Sequence, residues 1–139
     1  MQKKIEENFL LMTDTLPFIR KFLESTKLDF EIMDCEPDLA DTNIFCKKYG
    51  INLEDAANTI VVKSKTGELK YAACVLLATT KLDTNKTIRK KLSTHKVSFA
   101  NIEESEKLTN MQIGGVTPIE LPKNLPLWVD SRVMQRKII

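Results

Sequence analysis

Two apolar stretches joined by a glycine turn constrain this chain more than anything else in it. Asn58-Thr59-Ile60-Val61-Val62-Lys63 is rich in β-branched residues, which suit a pleated strand. Lys65-Thr66-Gly67-Glu68 reads as a turn, and 69–78 as a longer strand apolar enough to be central. Strands joined by so short a turn run antiparallel, so the hairpin excludes a purely parallel sheet.

Helices and further strands are expected around this hairpin. Residues 2–12 carry Ile5, Phe9, Leu10 and Met12 near helical spacing. A second helix follows Thr15, with Phe18, Ile19, Phe22 and Leu23 as its stripe and Pro17 in its first turn. Alternation predicts a short strand over 29–34, with Phe30 and Ile32 on one face. A helix over 38–49 places Leu39, Phe45 and Tyr49 inward and stops at Gly50. Asp83 caps a helix running through Ile88 and Leu92. Lys96–Phe99 is a short strand, and Asn101 with Glu104 resembles a capping box opening a helix to Leu108. A last strand, 125–130, ends on Asp130. Neither repeats nor a linker interrupt the 139 residues, so one α/β domain over 1–139 is expected.

Composition narrows function by exclusion. A net charge of +2 neither declares nor excludes a nucleic-acid partner. No apolar run approaches a membrane span, and the start Met1-Gln2-Lys3-Lys4-Ile5-Glu6-Glu7 has no signal-peptide core, so no membrane partner and a cytoplasmic setting are expected. Cys35, Cys46 and Cys74 form no CxxC pair, which argues against a disulfide framework and a structural zinc site. No metal or cofactor is expected. His95 is the only histidine and sits at a helix-to-strand joint, a poor place for a general base. Cys35 lies between Asp34 and Glu36, whose charges disfavour a thiolate, and Cys74 is expected to be buried and inert.

Three features keep a functional reading open. Two of only four glycines stand together in Ile113-Gly114-Gly115-Val116-Thr117-Pro118. Such a segment is either a tight connection or a backbone that presents N–H groups to an anionic or oxyanionic ligand. Lys86, Arg89 and Lys90 share a helix face, either solvated or set against a phosphate backbone. Asp130 either faces a ligand from a strand end or pairs with Arg132. Trp128 is read as core rather than as a ligand platform.

The ordered set of segments resembles the YbaK/prolyl-tRNA synthetase-associated editing domain over about residues 17–134. The segments are Asn58-Thr59-Ile60-Val61-Val62, the apolar strand after it, Leu82-Asp83, Val97-Ser98-Phe99-Ala100, Glu106-Lys107-Leu108-Thr109, the glycine loop, and Leu127-Trp128-Val129-Asp130. The resemblance implies a compact α/β fold with a mixed, largely antiparallel sheet flanked by helices. It implies hydrolysis of the ester joining a wrong amino acid to tRNA, as in clearing Cys or Ala from tRNA for proline. No metal is used in that chemistry, and the substrate's own terminal ribose hydroxyl assists. The implied partners are the aminoacylated 3′ end of tRNA and an aminoacyl-tRNA synthetase.

Residue by residue, the resemblance places Asn58, Gly114 and Gly115 as candidate catalytic groups. Thr59, Val116, Thr117, Pro118 and Asp130 become substrate contacts, and Lys86, Arg89 and Lys90 nucleic-acid contacts. Asn58 stands where most members of that family carry lysine, so a hydrogen bond replaces a charge; Lys63 or Lys81 is the candidate to supply a cation instead. An earlier glycine of the loop is replaced near Asn110. Such editing domains continue into a glycine-rich segment and a strand, where this chain has Lys137-Ile138-Ile139. These departures suggest an Asn-bearing branch, with residues 34–42 in its pocket. The alternative is a non-catalytic module that binds an aminoacyl-tRNA end, an amino acid or a small analogue.

Overall fold

The computed structural model describes residues 16–112 and 114–139. The expected helix over 2–12 lies outside them. The described chain forms a mixed four-stranded sheet. Its strands are β1 (Ala57–Ser64), β2 (Tyr71–Leu77), β3 (Val97–Phe99) and β4 (Leu127–Val129), in the order β3-β1-β2-β4. β1 pairs antiparallel with β2 and β3, and β4 runs parallel to β2. Its helices are α1 (Pro17–Ser25), α2 (Thr42–Tyr49), α3 (Arg89–Lys91) and α4 (Ile102–Thr109).

The hairpin's alternation sorts two faces. Ile60 and Val62 pair with Cys74 and Ala72, and Cys74 pairs with Trp128. These residues pack with Ile88, Leu92, Leu82 and Val97 into the main apolar cluster. Val62 is fully buried, and burying one such side chain contributes about 1.5–3 kcal/mol. The opposite face carries Ala57, Val75 and Leu77 against Val133. It also carries Lys63 and Tyr71, both bonded to Glu104 of α4.

Several elements depart from their expected limits. No strand forms over 29–34: the stretch pairs with none of the four strands, and Phe30 is 40% exposed. Alternation without a pairing partner does not make a strand. β2 begins at Tyr71, not 69, because Ser64 Oγ donates to the Glu68 carbonyl and accepts the Lys70 N–H, folding 65–70 into the turn. The helix expected from 38 is split. Pro37–Leu39 forms a 3-10 turn, and Asp41 then caps α2 through the Asn43 and Ile44 N–H groups. The inward residue of α2 is Cys46, while Tyr49 is 38% exposed. Gly50 ends α2 in the left-handed conformation, as its position implied.

Asp83 caps as expected, but the first turns after it are a π-helical segment, Thr84–Ile88. The Ile88 N–H reaches the Asp83 carbonyl five residues back, and Asp83 accepts from the Lys86 and Thr87 N–H groups. Asn101 caps α4 through the Glu104 N–H. The Glu104 carboxylate goes to Lys63 and Tyr71, tying α4 to the sheet.

Candidate functional site

Asn58 is the second residue of β1 and is half-buried. The Thr42 hydroxyl donates to its Oδ1 at 2.7 Å. That bond fixes the amide oxygen and leaves the two Nδ2 hydrogens outside it. Thr42 is the first residue of α2, so the Asp41 cap that starts this helix also sets where the hydroxyl points.

The glycine loop meets the same segment from the other side. Gly114 has φ +82°, and a Cβ there would stand 3.0 Å from the Ala40 Cβ. Backbone conformation and contact both demand glycine at this position. Gly115 differs: its nearest obstacle, the Gln112 carbonyl oxygen, is 3.5 Å from an added Cβ. Residues 40–42 therefore touch the glycine loop through Ala40 and the head of β1 through Thr42.

The loop's N–H groups divide into two kinds. Gly115 N–H donates to the Gln112 carbonyl at 2.9 Å, closing the turn. Thr117 N–H and hydroxyl point to the Met111 sulfur, at 3.2 and 3.5 Å. Gly114 and Val116 N–H groups have no acceptor among the described residues. Pro118 follows, exposed and without an N–H of its own. The loop thus offers Gly114 and Val116 as donors, while Gly115 and Thr117 hold its shape.

Asp130 comes to the same sheet face by register. Asn58 pairs with Leu76, and β2 and β4 pair as far as Val75 with Val129. One further step sets Asp130 beside Leu76, in line with Asn58 and about 10 Å from it at two strand spacings of ~4.8 Å. Arg132 grips Asp130 with Nε at 2.9 Å, a guanidinium NH2 at 2.7 Å and its backbone N–H at 2.9 Å. These bonds, the side-chain ones foremost, pull the Asp130 pKa down to about 2. Thr59 falls on the opposite face, paired with Val75.

The two candidate substitute cations are placed elsewhere. Lys63 is bound to Glu104 on the face away from Asn58. Lys81 lines a pocket of about 210 Å³ with Trp128, Lys91, Asp130 and Arg132. A second pocket, about 370 Å³, lies beyond Trp128 and is lined by Tyr71, Leu108 and Pro126. Lys86, Arg89 and Lys90 are exposed on the helical surface beside these pockets. Their neighbour Lys91 holds its ammonium 5.2 Å from the centre of the Trp128 ring. Trp128 is half-buried, packing on the apolar cluster while walling both pockets.

Cys35 sits beside the Asn58–Gly114 corner, its Sγ donating to the carbonyl of Leu39, next to Ala40, at 3.6 Å. Cys74 is buried, which pushes its thiol up to about 11. Cys35 is also raised, by burial first and then by Glu36. His95 is exposed, its N–H bonded to the Thr66 hydroxyl. Among the described residues no cluster of His, Cys, Asp or Glu could hold a metal ion. No described helix is long and apolar enough to cross a membrane.

The model of the aminoacyl-tRNA editing domain family matches residues 36–139, three-quarters of the chain. The chain belongs to the aminoacyl-tRNA editing domain family. Its fold is also that of known structures. The crystal structure of a hypothetical protein superposes with a TM-score of 0.73 at 22% identity, covering 86% of this chain and 77% of that one. A candidate trans-editing enzyme for prolyl tRNA synthetase gives 0.69 at 18% identity, covering 88% and 78%. A scaffold protein used in epitope backbone grafting gives 0.68 at 16% identity, covering 88% and 78%.

Sequence reasoning reached this editing domain's glycine loop and Asn58 but not what joins them. Thr42 reads as an ordinary helix-opening residue, and only the tertiary contact shows its hydroxyl on Asn58. Lys91 carried a signal, as part of a basic stretch, but its seat on Trp128 lies 37 residues away in sequence.

Proposed function

We propose that this editing domain hydrolyses the ester that joins a wrong amino acid to the 3′ end of a tRNA. The observation that carries the reading is the single segment, 40–42, that meets both Asn58 and Gly114. Water adds to the ester carbonyl, and the oxygen that gains charge is received by the Gly114 and Val116 N–H groups. Collapse breaks the bond to the ribose oxygen, releasing the amino acid and a tRNA with a free hydroxyl. An activated ester needs orientation and oxyanion stabilisation more than a strong nucleophile.

In this reading the Asn58 Nδ2 group positions the terminal adenosine, with its oxygen held by Thr42. Gly115, Thr117 and Pro118 keep the loop in shape. Asp130, ionised and paired with Arg132, borders the pocket at the level of Asn58. Thr59, facing the other way, supports β1. Family membership supports the tRNA partner, a setting beside a synthetase and a cytoplasmic location as parts of this reading, and the likeness to a candidate trans-editing enzyme for prolyl tRNA synthetase supports tRNA for proline as the first substrate to try.

A panel of mischarged tRNAs tests the reading directly. Deacylation of at least one is expected, and no turnover on any of them overturns it. The neutral Asn58 favours a second reading, a pocket that binds an aminoacyl-tRNA end without cleaving it. Tight binding without turnover, with hydrolysis appearing in Asn58→Lys, establishes the second reading over the first.

A further inference from the structure

We infer that the β4 edge, where Trp128 and Lys91 separate the two pockets, binds the single-stranded RNA that precedes the terminal nucleotide of the substrate. The inference rests on the proposed tRNA substrate and adds the path of its 3′ end. It begins from charge. Asp83 and Asp130, the carboxylates of the smaller pocket, are both committed. Asp83 accepts from the Thr87 hydroxyl and from the Lys86 and Thr87 N–H groups, and Asp130 is held by Arg132. Lys81 and Lys91 line the same pocket with no carboxylate within ion-pair distance among the described residues. Lys91 is steadied by an aromatic ring instead of an acid, so its charge stays available to an anion.

Shape and spacing select the anion. The smaller pocket, about 210 Å³, is below the ~300–1,000 Å³ of a typical small-molecule site, so it suits one base or phosphate, not a whole nucleotide cofactor. A second pocket opens on the far side of Trp128, and Lys91 lines both, while Lys70 lines the second. Cations spaced along an edge, with an aromatic wall between two shallow pockets, fit a chain of phosphates and bases. A compact anion would use one pocket and leave the other cations idle. The row also leads to the ester site. Asp130 follows β4 on the same sheet face as Asn58, about 10 Å away at two ~4.8 Å strand spacings. That span is within reach of a strand whose last residue sits at Asn58 and whose preceding residues lie along the edge beside Trp128. Lys86, Arg89 and Lys90, exposed on the adjoining helical surface, extend the positive field.

Trp128 is the only tryptophan in the chain, so its fluorescence reports this edge alone. The experiment titrates the full chain with an unacylated eight-nucleotide single-stranded RNA ending in CCA, and with an abasic strand of the same length. The RNA is expected to quench Trp128 and the abasic strand to quench it far less. Lys81→Ala with Lys91→Ala, both at exposed positions, is expected to weaken RNA binding at least tenfold. The slope of log affinity against log salt should fall by about 1.4, at ~0.7 per lost phosphate contact. RNA that binds without changing Trp128 fluorescence, or binds the double variant as it binds the parent, overturns the inference. Because the strand carries no ester, quenching without deacylation of any tRNA supports this edge and fails the hydrolase reading. Deacylation with an unchanged KM in the double variant does the reverse.

Discussion

The corner at Asn58 and the edge at Trp128 are built from opposite materials. The corner uses small, uncharged groups: Ala40, Thr42, Asn58 and Gly114, held by one hydrogen bond and by an approach that leaves Gly114 no room for a Cβ beside Ala40. The edge uses lysines, an ion pair and an indole. A corner of that kind can orient an ester and receive an oxyanion but has little charge with which to hold a polyanion. An edge of that kind can hold phosphates but presents no donors shaped for a carbonyl. The difference teaches a division of labour, in which turnover is set at the corner and affinity at the edge.

The largest break in that division is expected from Gly114→Ala. The new Cβ meets Ala40 at 3.0 Å and sits on a backbone with φ +82°, so the loop must move. Deacylation should fall on the order of 10²-fold, as when one oxyanion donor is lost, while RNA affinity stays within about twofold, as expected for a substitution that touches no phosphate contact. Parallel turnover and binding assays check this, and equal losses in both would erase the distinction between the two regions.

Thr42→Val tests the corner more gently. Removing the hydroxyl leaves Asn58 Oδ1 without its bond, a loss of about 1 kcal/mol or roughly fivefold. The fall should appear in kcat, with KM nearly unchanged, and Thr42→Ser should restore it. A loss in KM alone would make Thr42 part of the binding surface.

At the edge, Asp130 predicts a pH signature. Its pKa drops from 3.8 in the unfolded chain to about 2 in the fold, so its pair with Arg132 contributes fully above pH 4. The contribution fades as pH falls from 4 to 2. The pair is partly solvated, which limits its value to about 0.5–1 kcal/mol. Melting curves should show Asp130→Asn less stable than the parent at pH 6 and equal to it near pH 2.

The smallest effect is expected from Gly115→Ala. Its Cβ would meet only an ordinary contact at 3.5 Å, and its N–H can still close the turn on Gln112. Turnover within about twofold of the parent is expected, the scale of a few tenths of a kcal/mol for substitutions away from named features. A collapse as deep as that of Gly114→Ala would mean that the loop demands both glycines.

Alternation and β-branching made the hairpin legible, because its two faces are sorted by burial within one short stretch of chain. The same alternation misled at 29–34, a stretch that pairs with no strand of the sheet. Capping residues were equally legible. Asp41 was one exception, hidden because the helix was expected to start at 38 before the 3-10 turn intervened, and Asn52, which caps the short turn Leu53–Asp55, was another.

The sequence by itself determined the antiparallel hairpin, the helix stops and caps, and the presence of a glycine loop, because these depend on neighbours within a few residues. The order of segments further carried the likeness to the editing family. Tertiary structure alone decided which glycine must be glycine, which loop N–H groups are spent, and what Asn58 holds. It alone seated Lys91 on Trp128 and set Asp130 in line with Asn58. Those are contacts between segments 16 to 74 residues apart, and strand register and helix packing set them rather than local preference.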